Sequence, residues 1–314
     1  MPMKFYEDDE YSDESKQDFE PGYVQWTSPD GINYLPASKT VPRLPPGIYE
    51  IQRNPQTGPF FVSVPVKTEG LLRFPETNSN KVVTEIKKFW EREEIFRKYQ
   101  ISYKRGILLY GPPGSGKSCT VQLVMADVVK RGGIVMKFED PYTFTEGLRI
   151  LRNIHADMPV VAVIEDIDDF IEHSKESHFL NILDGVESVD RVVFLATTNY
   201  PEKLGQRVMN RPSRFDKRFR IGFPSEKSRR MYFEHLIGKE NIQSLNIDLD
   251  RWIKDTDKLS IAHLKELFVA VVILGDEYKS AIKTLKAMKE QIETKDFEES
   301  IGFSKVESDD GIYD

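Results

Sequence analysis

Gly111-Pro112-Pro113-Gly114-Ser115-Gly116-Lys117-Ser118 is the stretch on which the fold turns. It fits the pattern G-x-x-x-x-G-K-[ST] at every fixed position. The apolar run Ile107-Leu108-Leu109-Tyr110 precedes it and reads as a buried strand. Cys119 to Lys130 follows and reads as a helix that ends at Gly132-Gly133. Strand, glycine loop and helix in that order make a phosphate cradle. The glycines let the backbone turn tightly, so that N–H groups point inward at phosphate oxygens. The helix start adds positive dipole character. Lys117 supplies a point charge for β- and γ-phosphates, and the Ser118 hydroxyl can ligate Mg²⁺. Cys119, in the first turn of the helix, reads as a small buried residue whose alkylation would interfere with nucleotide binding. The alternative, a glycine-rich turn that binds nothing, leaves these flanks unexplained.

Outward from the loop, strands alternate with helices. A helix is expected from Ser79 or Asn80 to about Tyr99, with Val82, Ile86, Phe89 and Phe96 near one face. Ile134 to Phe138 reads as a second strand and about Phe144 to Ile154 as a helix. Val160-Val161-Ala162-Val163-Ile164 is too short for a helix and apolar throughout, as a parallel strand buried on both faces is. Arg191 to Thr197 and Phe219 to Gly222 complete a set of five. The expectation is an α/β fold, a doubly wound parallel five-stranded sheet with its site at the strands' C-terminal edge. Ahead of it, Ile48 to Arg53 and Phe60 to Val66 look like two strands joined by the turn Asn54 to Pro59. They define a small N-terminal β module and linker over 21–75, followed by a large nucleotide-binding domain over 76–222.

Three further stretches carry chemistry. The apolar run at Ile164 ends in Glu165-Asp166-Ile167-Asp168-Asp169. Phosphoryl transfer to water needs a metal to offset charge on the β- and γ-oxygens and a group to orient the water. Glu165 and Asp166 divide those roles if the strand ends there and their directions diverge. Asp168 and Asp169 read as a solvated loop. A free-standing metal site made by the acids alone lacks a histidine or cysteine at ligand spacing. Thr197-Thr198-Asn199 ends the neighbouring strand with an amide that can bond the γ-phosphate or the water without adding charge. Arg211-Pro212-Ser213-Arg214-Phe215-Asp216 supplies arginines of the kind that stabilise equatorial phosphate oxygens, either in the same subunit or from a neighbour.

Composition bounds the rest. The 314 residues are 39% hydrophobic and 30% charged, enough for a sizeable core in a globular protein. No apolar run approaches the ~20 residues of a membrane helix. The start is acidic and carries no visible signal peptide. A single cysteine excludes an internal disulfide and fits a reducing, cytoplasmic setting. Residues 1–20 and 291–314 read as acidic disordered tails, which leaves the middle weakly basic under a net charge of −7. The aromatics Phe5, Tyr6, Phe297 and Tyr313 within the tails raise docking on a partner as an alternative to plain solubilisation.

Gly111 to Ser118, Val160 to Asp168, Ala196 to Asn199 and Arg211 to Asp216 stand in the order and approximate spacing of the AAA ATPases, and the chain resembles that family from about Phe74 to Glu290. Tyr103 to Ser118, the Glu-Asp-Ile-Asp order and Leu180 to Val186 look most like the branch that holds the mitochondrial chaperone of the Rieske iron–sulfur protein. The resemblance implies a P-loop NTPase fold with a small helical lid at about 223–290. It also implies ATP hydrolysis with Mg²⁺ in a homo-oligomeric ring, usually of six or seven subunits, that remodels or translocates a macromolecule. Carried over, Lys117 and Ser118 are the phosphate and metal groups, Glu165 the metal-binding acid, Asp166 the catalytic acid and Asn199 the sensor. Arg211 and Arg214 match the pair of arginine fingers. Ser260-Ile261-Ala262-His263-Leu264 sits where the family often has Ser-Gly-Ala-Asp-Leu, so no lid arginine is expected at the nucleotide.

The sequence departs from the family in three places. Most members read Asp-Glu where this chain reads Glu-Asp. Ser213 replaces the usual glycine before the second finger. No aromatic-apolar-Gly pore tripeptide stands in Glu139 to Gly147, where Tyr142 or Phe144 either grips a substrate or packs on the sheet. Three functions follow: an ATPase ring acting on a protein; a nucleic-acid motor or loader, which lacks any zinc finger or helix-turn-helix pattern; and a non-hydrolysing ATP switch, motivated by the Glu-Asp inversion.

Overall fold

The computed structural model describes residues 25–27, 32, 35–37, 40–55, 58–65, 72, 78–172, 176–184, 190–205, 208, 211, 214–238, 245 and 247–289. Both acidic tails, Val66 at the end of the second expected strand, Gly185, Val186, Pro212 and Ser213 lie outside the described residues. The chain divides into two compact units, 1–44 and 45–314. In the first, β1 (Gln25–Thr27) and β2 (Leu35–Ala37) pair antiparallel, two short strands that the sequence pattern did not signal.

The second unit is built on one sheet. Its strands are β3 (Gly47–Asn54), β4 (Gly58–Val64), β5 (Lys104–Tyr110), β6 (Ile134–Lys137), β7 (Val160–Ile164), β8 (Val192–Thr198) and β9 (Lys217–Arg220), in the spatial order β4-β3-β6-β7-β8-β5-β9. The five expected strands run parallel as β6-β7-β8-β5-β9. Every residue of β7 and β8 is buried, as strands covered by helices on both faces must be.

The sheet has seven strands, two more than expected. β3 pairs parallel with β6, and β4 closes an antiparallel hairpin beside it, so the hairpin of the 21–75 region forms the edge of the main sheet. The physical reason lies in β3. Ile48 joins the core formed with the loop helix, while Ile51 sits on the opposite face against Gly147. A two-stranded ribbon on its own has no means to bury both faces.

Helices α1 (Asn78–Trp90) and α2 (Glu93–Lys98) stand where one continuous helix was expected. The break lets Phe96 fold back on an aromatic cluster. Phe89 stacks on Tyr103 at 4.3 Å, and Phe96 reaches those rings at 5.5 and 5.2 Å. The loop helix is α3 (Lys117–Lys130), followed by α4 (Pro141–Ile154), α5 (Ile167–Glu172) and α6 (Glu176–Asp184). α4 starts three residues earlier than expected because the Asp140 carboxylate accepts from the Thr143 N–H at 2.8 Å and Pro141 takes the first helical position.

Beyond β9 the chain is helical: α7 (Glu226–Ile237), α8 (Leu249–Asp255), α9 (Ile261–Phe268) running into a wider π turn at Val269–Ile273, and α10 at 278–289. These helices bury their own core, including Phe233, Trp252, Leu264, Leu267 and Leu285. Among the described residues no helix is long and apolar enough to cross a membrane.

Candidate nucleotide site

The loop leaves β5 at the C-terminal edge of the sheet and enters α3. Three of its glycines have positive φ: +153° at Gly111, +69° at Gly114 and +102° at Gly116. Gly111 admits no side chain, because a Cβ there would lie 2.0 Å from the Ile221 carbonyl oxygen. This backbone, with Gly116 as the N-cap of α3, is the concave shape in which N–H groups converge on an anion. Lys117 is buried, and its ammonium donates to the carbonyls of Gly111 at 2.7 Å and Pro112 at 3.0 Å. Burial lowers the Lys117 pKa, and the carboxylates of Asp166 and Asp168 work against that. Pro113, Gly114 and Ser118 are exposed, whereas Ser115 is buried with a hydroxyl oxygen that meets no protein partner. Cys119 is half-buried, and burial raises its thiol pKa, against the usual effect of a helix N-terminus.

The acids stand one strand beyond β8. Asp166 takes a left-handed backbone, φ +48°, and its N–H donates to the Thr197 hydroxyl at 3.0 Å. The left-handed turn comes directly after Glu165, where Ile164 has ended β7. Asn199 donates its amide to Asp166 Oδ1 at 3.3 Å, so the two residues expected as sensor and acid are brought together. Burial, then Asp168 and Asp169, push the Asp166 pKa up, with Lys117 opposing. Burial and Asp166 raise Glu165 in turn, and Lys137 opposes. A carboxylate raised in this way is a better proton acceptor than an ordinary one. Asp169 is exposed as expected, but Asp168 is not solvated. It is 4% exposed, with one carboxylate oxygen buried and unpartnered. The reason is that Ile167 starts α5 at once, so the next residue is carried under the site.

The two arginines part company. Arg211 is exposed, at 62% of its side chain, and gives one bond to Asp184 Oδ2 at 2.9 Å. Arg214 is 5% exposed and grips the same carboxylate with two bonds, Nε to Oδ1 at 2.8 Å and Nη2 to Oδ2 at 2.7 Å. These bonds hold the Asp184 pKa below the usual carboxylate range. Of the two gripping aromatics, Tyr142 is 56% exposed with Arg53 over its ring at 5.2 Å. Phe144 is buried between Phe138 and Phe194, at 4.7 and 6.0 Å, and has no free face to offer a substrate.

Two contributors carried no readable signal of their role. Asp184 closes α6 inside the stretch Leu180 to Val186, but its service to both arginines appears only in the folded chain. Ser260 caps α9 by accepting from the His263 N–H, and its hydroxyl pairs with His263 Nδ1 at 2.6 Å. A Cβ on Gly114 would meet that hydroxyl at 2.7 Å, so the lid rests on the phosphate loop.

Residues 107–223 match the model of the ATPase family associated with various cellular activities (AAA). The chain carries an AAA-family ATPase domain. It is 28% identical over 245 residues to a proteasome-activating nucleotidase of Methanococcus vannielii, covering 70% of this chain and 56% of the relative. It is 30% identical over 207 residues to a probable mitochondrial chaperone bcs1 of Schizosaccharomyces pombe, covering 62% and 45%. It is 27% identical over 186 residues to an AAA ATPase forming ring-shaped complexes from Bifidobacterium adolescentis, covering 51% and 36%. The chain thus spans about half or less of the length of these relatives.

The AAA domain's residues fit a magnesium nucleotide. The donors offered to a metal, Ser118, Glu165 and Asp166, are all oxygens, the set a hard cation takes alongside phosphate and water. The buried Ser115 hydroxyl and one buried Asp168 carboxylate oxygen have no hydrogen-bond partner in the protein.

Proposed function

We propose that this chain binds ATP with Mg²⁺ and hydrolyses it as one subunit of a homo-oligomeric ring, a hexamer or heptamer, that remodels or translocates a protein. The observation that carries the reading is the pairing of Asp166 with Asn199 beside a loop whose lysine is held ready by Gly111 and Pro112. The loop N–H groups and Lys117 bind the β- and γ-phosphates. Ser118 and Glu165 would hold the metal, which would offset the charge gathering on the phosphate oxygens. Asn199 and Asp166 orient a water in line with the γ-phosphorus. The water oxygen bonds to phosphorus, the bond to the bridging oxygen breaks, and the water proton passes to Asp166. The left-handed backbone at Asp166 turns its shorter side chain toward Asn199, which supports hydrolysis over a non-hydrolysing switch.

A ring needs a contact that repeats head to tail, with one surface's residues completing the next subunit's site. Arg211 is the exposed arginine and is assigned here as the finger that reaches a neighbour. Arg214 is assigned to holding the subunit together. Proteasome-activating and chaperone relatives favour a protein substrate over a nucleic acid, and Tyr142 is the residue offered to it. The single cysteine fits a reducing compartment such as the cytoplasm.

The test is ATP hydrolysis per subunit against protein concentration, for the wild type, Arg211→Ala and Asp166→Asn. Activity that rises with concentration and falls at least about 100-fold in both variants is expected. A flat rate untouched by Arg211→Ala would refute a site shared between subunits.

A further inference from the structure

The β3–β4 hairpin brings to the acids a charge that the loop and its neighbours do not supply. Ile48, Val135 and Val163 belong to one core with α3. They lie on the adjacent strands β3, β6 and β7, with Ile48 opposite Val135, and Lys137 opposite Val163. A pleated strand returns to the same face every second residue. Two residues beyond these three stand Glu50, Lys137 and Glu165. Glu50 and Lys137 are level on the face that carries α3. Glu165 stands two residues past the Val163 that pairs with Lys137, just beyond the end of β7, so it is a diagonal neighbour of Lys137 and not its register partner.

Glu50 and Lys137 are register partners, and their side chains meet at 2.6 Å from Nζ to Oε1. Both are half-buried. Lys137 is thus bonded to a carboxylate of the hairpin and lies diagonally across from a carboxylate of the nucleotide site, close enough for its charge to be felt there. An ammonium so placed faces a choice of anion, and whatever holds it to one weakens its claim on the other.

We propose that Glu50 and Lys137 are positioning residues that set the hold of Glu165 on Mg²⁺. Glu50 draws the ammonium toward the hairpin, and Lys137 competes with the metal for Glu165. The inference rests on the reading of Glu165 as a metal ligand. It has a consequence that an ordinary structural ion pair lacks. Glu50→Gln frees Lys137 to turn to Glu165, so the metal is held more weakly. Lys137→Met removes the competitor, so the metal is held more tightly. The double variant behaves as Lys137→Met alone, because Glu50 acts only through Lys137.

The full chain is titrated with MgCl₂ in the presence of a fluorescent, non-hydrolysable ATP analogue, and the Mg²⁺ midpoint of binding is read alongside the melting temperature. The midpoint is expected to rise about threefold or more in Glu50→Gln and to fall about threefold in Lys137→Met, the scale of a half-exposed charge pair. Shifts of both single variants in one direction, or additive effects in the double variant, overturn the proposal. Glu165→Gln separates the two readings. If it leaves the midpoint unchanged, the metal-ligand reading fails and the proposal falls with it. If it raises the midpoint while Glu50→Gln and Lys137→Met do nothing, the proposal alone fails. In a Glu165→Gln background, Lys137→Met is expected to have no effect.

Discussion

Replacing Asp184 by alanine removes the carboxylate that both arginines of the Arg211–Arg214 turn share. Arg214 loses two bonds of 2.8 and 2.7 Å, and its guanidinium is 5% exposed, so water cannot replace them without opening the fold. Breaking a fully buried pair from one side costs about 3–5 kcal/mol. The Asp184 side chain keeps 17% of its exposure, which places the cost at the lower end, about 3 kcal/mol. For a chain of this size that lowers the melting temperature by about 6 °C or more. Arg211→Ala removes only an exposed bond and is expected to cost less than about 1 kcal/mol. The assay is thermal or urea unfolding of both variants beside the wild type. Acidity supplies a second readout. Because Asp184 titrates below its ordinary range when folded, its stabilisation is present above the unfolded carboxylate pKa, about 3.9. It is lost as the pH falls through the lower folded value. The gap between wild type and Asp184→Ala therefore holds from pH 8 to pH 5 and closes in stronger acid. A melting shift under about 2 °C at pH 7, or an equal loss in Arg211→Ala, would refute the assignment of Arg214 to cohesion and return it to the fingers.

Gly106→Ala places a Cβ 1.6 Å from the Arg214 carbonyl oxygen, a backbone atom with no room to move. It is expected to cost at least about 3 kcal/mol in unfolding experiments, and a wild-type melting temperature would disprove the close approach of β5 to that turn. Cys119 is expected to react with iodoacetamide at pH 8 more slowly than an exposed thiol, because burial leaves less thiolate, and more slowly still with nucleotide bound. Alkylation faster than that of glutathione would contradict the buried setting.

The parallel core was legible because its signals are local. An unbroken apolar run bounded by acids has one comfortable place, the middle of a sheet covered on both faces, and β7 and β8 are found there. The loop was legible for the same reason, since glycine spacing dictates backbone shape without reference to the rest of the chain. What escaped was decided at long range. β3 and β4 both read as strands, but nothing within 21–75 said which edge would accept them. That edge is β6, more than eighty residues away, and it was chosen because Ile48 and Ile51 need covers on opposite faces. The break between α1 and α2 has a similar cause, since helical periodicity continues through Arg92 while the pull of Tyr103 on Phe96 does not register in it.

The arginine turn shows the limit most sharply. Arg211 and Arg214 are three apart with similar neighbours, and side-chain chemistry alone gives them the same capacity for phosphate. Only the position of Asp184 separates them, and its two oxygens are shared unequally: two bonds to the arginine inside, one to the arginine outside. The bond to Arg211 is the one of the three that water reaches, since the Arg211 side chain is 62% exposed. That bond is therefore the one most easily exchanged for an anion arriving from another subunit, at the cost of one exposed ion pair. Withdrawing Arg214 instead would break two bonds of a guanidinium that is 5% exposed. The difference between those costs, about 2 kcal/mol or more, favours Arg211 as the group that moves by about thirtyfold.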